Sequence, residues 1–334
     1  MSPEQPNPQM VWEAFNAYQK TAAIRAAIEL DLFTRIGEGA STAALIAASA
    51  GVSPRGIRIL CDYLVVTGFL AKSESSYALT PTAAAFLDRR SPSFMGAMIA
   101  FMNAPKMMQG FENLPAAIRL GGTTLAKGGV TEAELDEWVI FAKSMAAITT
   151  GSASFLAQVA AQSNPKRVID LAAGHGMYGI AVARALPECR VVAQDWGKVL
   201  AVAEANARAA DVLDRYSLLA GDTFTVDYGS GYDLALVTNL LHHFDSAACV
   251  KLLEKIRAAL APGGRVLVLE FVPDEDRVSP PAPAAFSLTM LAMTPAGDAY
   301  TFSELSEFLT KAGFRDCQLH EVPHSPQRLV TAVR

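Results

Sequence analysis

The sequence predicts an α/β protein with a mostly helical N-terminal part and a C-terminal doubly wound sheet. Two observations carry this prediction. Up to about residue 163, apolar residues recur at three- and four-residue spacing, which is typical of amphipathic helices. From Asn164 onward, short β-branched runs alternate with helical segments, which is the pattern of a parallel sheet covered by helices.

Composition limits the classes of partner. The chain has 334 residues, of which 51% are hydrophobic, and this length is sufficient for two domains. The net charge is −5 and there is no basic block, so we do not expect nucleic acid as a partner. The four cysteines lack paired spacing, and neither a secretory signal nor a membrane span is evident. We therefore expect a cytoplasmic protein without disulfides or membrane contact.

The first module is predicted over residues 10–105. A long helix is followed by two shorter ones, the second capped by Ser53, and then by a small hairpin. Three helices and a hairpin are the winged-helix pattern. Such a module can bind DNA, but Arg55 and Arg58 alone give its third helix little charge for phosphate contacts. Dimerisation is the better prediction.

Residues 106–163 are predicted to be linking helices, which with the segment just before them are unusually rich in Met and Phe. A long helix from about Thr131 to Gln162 should connect the two halves. Methionine adapts to irregular apolar shapes, so we expect most of these residues in the core and a minority around an apolar substrate. The candidate pocket residues in this part of the chain are Phe101, Met102, Met108 and Met145.

The third part, residues 164–334, is predicted to form the sheet. The first five strands are typical of a doubly wound parallel arrangement. The last two are joined only by Pro323–Pro326, which is too short for a crossover, so they should pair antiparallel. The result is a Rossmann-like sheet of seven strands, parallel with one antiparallel strand, at 167–171, 190–195, 217–220, 234–238, 266–271, 315–321 and 329–333.

A glycine motif lies between the first strand and the helix after it. Gly174, Gly176 and Gly179 have the spacing G-x-G-x-x-G, and a helix N-terminus after such a turn commonly binds nucleotide-like ligands. Asp195 ends the second strand, 19 residues after Gly176. A carboxylate there can bind the ribose of a dinucleotide or of an adenosyl cofactor, so NAD stays open at this step.

Three features favour S-adenosylmethionine. Asp170 precedes the glycine turn, where a carboxylate would oppose a pyrophosphate but suit the ammonium and sulfonium of this cofactor. Asp222 follows the third strand and could accept a hydrogen bond from an adenine amino group. The third feature is the pair of segments 261–264 and 312–314, which come just before the fifth and sixth predicted strands.

Together with Leu241–Phe244, these segments resemble class I S-adenosylmethionine-dependent methyltransferases. The N-terminal module and the segment 30–36 narrow the resemblance to the small-molecule O-methyltransferases, which include plant caffeate-type and bacterial natural-product enzymes. The resemblance implies a homodimer that methylates a hydroxyl of a small, largely apolar acceptor and releases S-adenosylhomocysteine. Ala172 replaces a glycine that is usual in the family. The implied cofactor-binding residues are Asp170, Ala172, Gly174, Gly176, Asp195, Trp196, Asp222, Thr223, Phe224 and Asn239.

The implied catalytic residues are His242 and Glu270. Methyl transfer from a sulfonium is an in-line displacement, and a phenol with a pKa of about 10 gains from a base that removes its proton. His242 follows the fourth strand and matches the histidine base of the family, while His243 matches the acid after it. Glu270, on the fifth strand, is expected to orient His242.

Two observations concern the acceptor. Ala299 stands where plant members carry a second glutamate, and Asp298 is adjacent, so methylation of carbon or nitrogen remains an alternative. The segment 280–293 resembles the substrate lid of the family and adds Phe286, Met290 and Met293 as pocket candidates.

No His, Asp or Glu cluster has metal-ligand spacing, so no metal is implied. Two further functions stay open. One is a non-catalytic regulator that binds S-adenosylmethionine and uses its winged helix on DNA. The other is an NAD-dependent dehydrogenase, which the glycine motif alone would allow.

Overall fold

The computed structural model describes residues 6–132, 136–146 and 148–334. The chain divides into two compact units between Ile99 and Ala100. The linking helices thus fall in the same unit as the sheet, and the three-part division by residue number stays a prediction. Among the described residues no single helix is long and apolar enough to cross a membrane, although two bent helix pairs meet that test by length and composition.

The first unit contains the predicted helices and hairpin. The hydroxyl of Thr42 accepts from the backbone N–H of Leu45, and that of Ser53 accepts from Gly56, which fixes the starts of two helices. The two strands pair antiparallel. The elements are α1 (Pro8–Glu29), α2 (Leu32–Gly37), α3 (Ala43–Ala50), α4 (Pro54–Val66), β1 (Leu70–Ser73), β2 (Ser76–Leu79) and α5 (Pro81–Phe86).

The first half of α1 carries large apolar side chains that this chain alone leaves exposed. Trp12 is 62% exposed, Phe15 68% and Tyr18 69%. The rings of Trp12 and Phe15 meet edge to face at 6.3 Å. A contiguous exposed apolar surface of this kind is typical of a protein–protein contact.

The second unit begins with helices, and here one prediction is wrong. The single helix predicted from Thr131 to Gln162 is two helices, and the break between them contains the β-branched residues Ile148 and Thr149, which have a weak helix propensity. The elements are α6 (Met98–Met102, which spans the unit boundary), α7 (Pro105–Glu112), α8 (Leu114–Leu120), a 3₁₀ turn (Ala126–Thr131), α9 (Asp136–Met145) and α10 (Thr150–Ala161).

The seven-stranded sheet is confirmed, with the order β5-β4-β3-β6-β7-β9-β8. Only β9 runs antiparallel to its neighbours. The strands are β3 (Arg167–Leu171), β4 (Arg190–Asp195), β5 (Tyr216–Ala220), β6 (Tyr232–Thr238), β7 (Leu260–Glu270), β8 (Arg315–Glu321) and β9 (Arg328–Val333). The helices around them are α11 (Met177–Ala185), α12 (Gly197–Ala209), α13 (Ser246–Ala259), α14 (Pro281–Met293) and α15 (Phe302–Lys311).

Both faces of the sheet are buried. Val168 and Leu236 belong to the core under α10, α11 and α12, while Ile169 and Val237 belong to the core under α13 and α15. Successive residues of a strand point to opposite faces, so these strands are apolar along their whole length. The strand order reverses between β3 and β6, and in such sheets ligands bind in the crevice outside the carboxyl ends of the strands at that point.

Candidate active site

A cleft lies at the carboxyl ends of the central strands and encloses about 990 Å³, part of it open to solvent. Segments that follow β3, β4, β5 and β6 supply one wall, and α9 supplies the other. Eight of the ten predicted cofactor residues line it: Ala172, Gly174, Asp195, Trp196, Asp222, Thr223, Phe224 and Asn239.

The two predicted cofactor residues outside this lining support the glycine turn. Gly176 has a φ of 75°, and a Cβ on it would lie 2.7 Å from the Tyr216 hydroxyl, so only glycine fits. Asp170 is fully buried, and its Oδ2 accepts from the Gly179 N–H at 3.0 Å. Its Oδ1 has no hydrogen-bond partner among the described residues, and burial holds the pKa of Asp170 well above its usual range.

Asp195 is the buried acid of the cleft. Its side chain accepts from the backbone N–H of Gly174 at 2.8 Å and of Trp196 at 2.6 Å, so it joins the ends of β3 and β4. Burial raises the pKa of Asp195 to about 6. The carboxylate is therefore ionised at neutral pH but titrates only a little below it.

The loop after β5 is held by a lysine that sequence reasoning missed. Lys255 Nζ donates to the carbonyls of Thr223 at 2.9 Å and Val226 at 2.6 Å, and it lies 4.1 Å from the ring centroid of Tyr228. The Tyr228 hydroxyl is 2.7 Å from the Thr223 hydroxyl. These contacts fix the segment that carries Asp222 and Phe224 against the cleft.

His175, inside the glycine turn, was also missed. Its Nδ1 accepts from the Met177 N–H at 3.1 Å. Thr149 donates its hydroxyl proton to Met145 O, so the 3.1 Å contact between His175 Nε2 and Thr149 Oγ1 places the His175 proton on Nε2. Burial lowers the pKa of His175 to about 4, so the imidazole is neutral and joins the turn to the start of α10.

His242 and Glu270 form a buried pair at the ends of β6 and β7. His242 Nδ1 lies 2.5 Å from Glu270 Oε2, and Glu270 Oε1 accepts from the backbone N–H of Leu240 and Leu241 at 2.9 Å each. An ionised carboxylate only accepts hydrogen bonds, so Nδ1 donates and the lone pair of His242 resides on Nε2. The ring of Phe286 packs edge-on against His242 at 4.9 Å.

His243, next in the chain, lines the cleft, whereas His242 lies behind this lining. The His243 ring meets the ring of Trp138 edge to face at 5.3 Å. Burial and the neighbouring His242 hold the pKa of His243 well below its usual range. Trp138 and Phe141 form the aromatic wall on the α9 side, and Phe101 packs against both rings from behind.

None of the predicted pocket residues lines this cleft directly. Phe101 packs against Trp138, and Phe286 packs against His242. Met290 and Met293 are buried. Met145 is partly buried, and Met102 and Met108 are exposed in this chain. Asp298 pairs with Arg277, and Ala299 is fully buried. The wall residues Trp138 and Phe141 were missed, and only their aromatic character could have indicated them.

Comparison with known proteins assigns the class. Residues 128–315 match the O-methyltransferase domain and residues 12–89 match the O-methyltransferase dimerisation domain. The chain therefore belongs to the O-methyltransferase family. It is a methyltransferase that uses S-adenosylmethionine.

Individual relatives match along nearly the whole chain. The tetracenomycin polyketide synthesis 8-O-methyl transferase TcmO of Streptomyces glaucescens is 29% identical over 90% of this chain and 89% of its own length. The 3-hydroxy-5-methyl-1-naphthoate 3-O-methyltransferase of Streptomyces sahachiroi is 28% identical over 92% and 89%. A solved structure from Nostoc punctiforme, provisionally assigned as an O-methyltransferase, is 45% identical with a TM-score of 0.96 and covers 99% of this chain and 100% of that one.

The cleft suits this cofactor. No lysine or arginine is among the described residues that line it, while Asp195 and Asp222 are. The third acid of the lining, Glu132, is paired with Lys106 and Lys127. A pyrophosphate would find no cationic side chain there, whereas a ligand with an ammonium and a sulfonium meets acidic ones. The donor set thus favours S-adenosylmethionine over NAD.

Proposed function

We propose that the protein transfers a methyl group to a hydroxyl of a small, largely apolar, phenolic or polyketide-like acceptor, with His242 as the general base. The observation that carries the proposal is the buried 2.5 Å contact between His242 and Glu270 behind the cleft lining. The acceptors named for the polyketide and naphthoate relatives support this substrate class.

The residues on the cofactor side of the cleft have separate roles in binding. Asp195 would accept hydrogen bonds from the ribose hydroxyls, Trp196 and Phe224 would offer apolar faces to the adenine, and Asp222 would accept a hydrogen bond from its amino group. S-adenosylmethionine supplies the electrophilic methyl group when bound. The protein's part in the reaction is to orient the acceptor oxygen, exclude water and remove a proton.

Proton removal falls to Nε2 of His242. Because Nδ1 donates to Glu270, the unprotonated Nε2 accepts the acceptor's hydroxyl proton as the oxygen forms its new bond. The negative charge of Glu270 then stabilises the resulting imidazolium. Phe286 covers one side of the His242 ring, so we expect this side chain to shift when an acceptor binds.

Replacement of His242 tests the base. We expect His242→Ala to lower kcat by about 10²- to 10⁴-fold, the usual worth of a positioned general base. The measurement is S-adenosylhomocysteine release with a panel of phenols. His320→Ala is the control, because His320 lies on β8 and hydrogen-bonds Thr331 away from the cleft. Unchanged turnover in His242→Ala would favour a carbon or nitrogen acceptor, or catalysis by proximity alone.

The raised pKa of Asp195 predicts a pH dependence of cofactor binding. Ribose hydroxyls donate to the ionised form, so affinity for S-adenosylhomocysteine should fall by up to about tenfold per pH unit below the pKa of about 6. The pKa of His175, about 4, lies below this window. Calorimetric titration between pH 5 and 8 measures the effect. Asp195→Asn should bind weakly without this slope, and a slope that persists would assign the titration to another group, such as Asp170.

The first unit is proposed as the dimer contact. The match to the dimerisation domain supports a homodimer, and the exposed apolar half of α1 supplies a surface for it. Burial of Trp12, Phe15 and Tyr18 against a second copy would remove them from water. A cytoplasmic location stays a prediction of the sequence.

A further inference from the structure

One cleft-lining side chain has hydrogen-bonding capacity that the described residues leave unused. His243 Nδ1 is buried and has no hydrogen-bond partner among them. The other two histidines at this end of the sheet differ in this respect. His242 Nδ1 meets Glu270, and both ring nitrogens of His175 have partners.

Among the described residues, the surroundings of His243 do not supply the missing partner. Its ring neighbours are Trp138, Phe244 and His242, at centroid distances of 5.3, 6.2 and 4.2 Å. The described polar residues that line the cleft on the α9 side are already engaged. The Thr131 hydroxyl donates to Gly128 O at 2.8 Å, and the Glu132 carboxylate forms ion pairs with Lys106 and Lys127 at 2.9 Å each.

An unpaired polar atom in such a place destabilises the folded protein, and native structures rarely keep one without a role. The depressed pKa keeps the His243 ring neutral at physiological pH. A neutral imidazole has one donor and one acceptor nitrogen, so it can pair with either a hydroxyl or a carbonyl oxygen. Such a group rejects ligands that lack the matching atom.

We propose that His243 determines acceptor specificity by hydrogen-bonding a second oxygen, a hydroxyl or carbonyl, on the ring carbon next to the hydroxyl that is methylated. The ring centroids of His242 and His243 are 4.2 Å apart, so an acceptor ring that reaches His242 once Phe286 has shifted can bring a neighbouring oxygen to His243. The inference rests on the proposed function, in which His242 receives the first oxygen. Trp138 supplies an apolar face for the ring of the acceptor.

The test compares 1,2-dihydroxynaphthalene, which carries the second oxygen, with 2-naphthol, which does not. The variants are His243→Phe, which keeps a ring without nitrogen, and His243→Asn, which keeps a hydrogen-bonding group. The wild-type kcat/KM should favour the dihydroxy acceptor by about 10- to 100-fold, mainly through KM. His243→Phe should abolish this preference by weakening the dihydroxy acceptor more than 2-naphthol, and His243→Asn should retain part of it.

Calorimetric binding of both naphthols to the protein loaded with S-adenosylhomocysteine gives a readout independent of turnover. The same preference should appear there and disappear in His243→Phe, while affinity for S-adenosylhomocysteine stays constant. Equal wild-type affinity for the two naphthols, or an undiminished preference in His243→Phe, overturns the inference. If His243→Phe does not fold, the inference is tested by whether His243→Asn lowers the preference for the dihydroxy acceptor. A binding preference without methylation of either naphthol would contradict the proposed function and leave the role of His243 supported.

Discussion

Glu270→Gln is expected to lower kcat by about 10²- to 10⁴-fold with little change in folding stability. The glutamine oxygen can still accept from the backbone N–H groups of Leu240 and Leu241, which now meet Glu270 Oε1 at 2.9 Å. The glutamine NH₂ would then face His242 Nδ1 and force that nitrogen to become an acceptor. The proton would move to Nε2, so the lone pair of His242 would no longer be available to the acceptor hydroxyl.

The measurement is kcat with a methylated phenol, together with the thermal unfolding midpoint. A double variant separates positioning from a direct role: Glu270→Gln combined with His242→Ala should be no slower than His242→Ala alone, because both changes remove the same base. If the Glu270→Gln variant kept a third or more of the wild-type kcat, the tautomer assigned to His242 would be refuted. Full additivity in the double variant would show that Glu270 acts independently of His242.

The sequence was most informative where local chemistry decides the structure. Six of the seven predicted strands begin and end within two residues of those found, since β-branched runs bounded by Gly, Pro or Asp allow few alternatives. The exception is β7, which begins at Leu260 and includes the segment 261–264 that was predicted to precede it. It was least informative where apolar periodicity continues through a break. The end of α9 at Met145 is an example, because apolar residues follow it and only the weak helix propensity of Ile148 and Thr149 indicates a boundary.

The same contrast holds for the site. The positions of Asp195, His242 and Glu270 could be predicted because each ends or follows a parallel strand, and those ends meet at one edge of the sheet. Trp138 lies on a helix 100 residues or more before His242 and Glu270 in the chain, so its place in the cleft depends on tertiary packing that no local pattern encodes. The unpaired nitrogen of His243 is likewise a property of the assembled neighbours rather than of the sequence.

Gly297→Ala is expected to disable the site from outside the cleft lining. A Cβ on Gly297 would lie 2.1 Å from the carbonyl oxygen of His242 and 2.9 Å from the carbonyl carbon of His243. Both contacts are with backbone, which cannot turn aside as a flexible side chain would. The turn that carries the two histidines must therefore move while Glu270 still holds the N–H groups of Leu240 and Leu241. We expect a loss of about 1–3 kcal/mol in unfolding free energy. We also expect a fall of about 10²-fold in kcat, since a displacement of about 1 Å can cost that much.

Gly151→Ala is the matched control, because a Cβ at Gly151 meets no heavy atom within 4 Å and the residue lies in the helix α10 of the same unit. Alanine there should raise the unfolding free energy by about 0.5–1 kcal/mol through helix propensity, with unchanged kcat. Thermal unfolding and kcat of the two variants, measured side by side, separate a steric effect at the histidine turn from a general effect of an added methyl group. If Gly297→Ala lost stability but kept its kcat, the displacement of the turn that carries His242 would not impair the base. Close packing of this turn against Gly297 would then not be required for catalysis. If the variant kept both, the turn would be free to relax away from Gly297, and the pairing of His242 with Glu270 alone would hold the base in place.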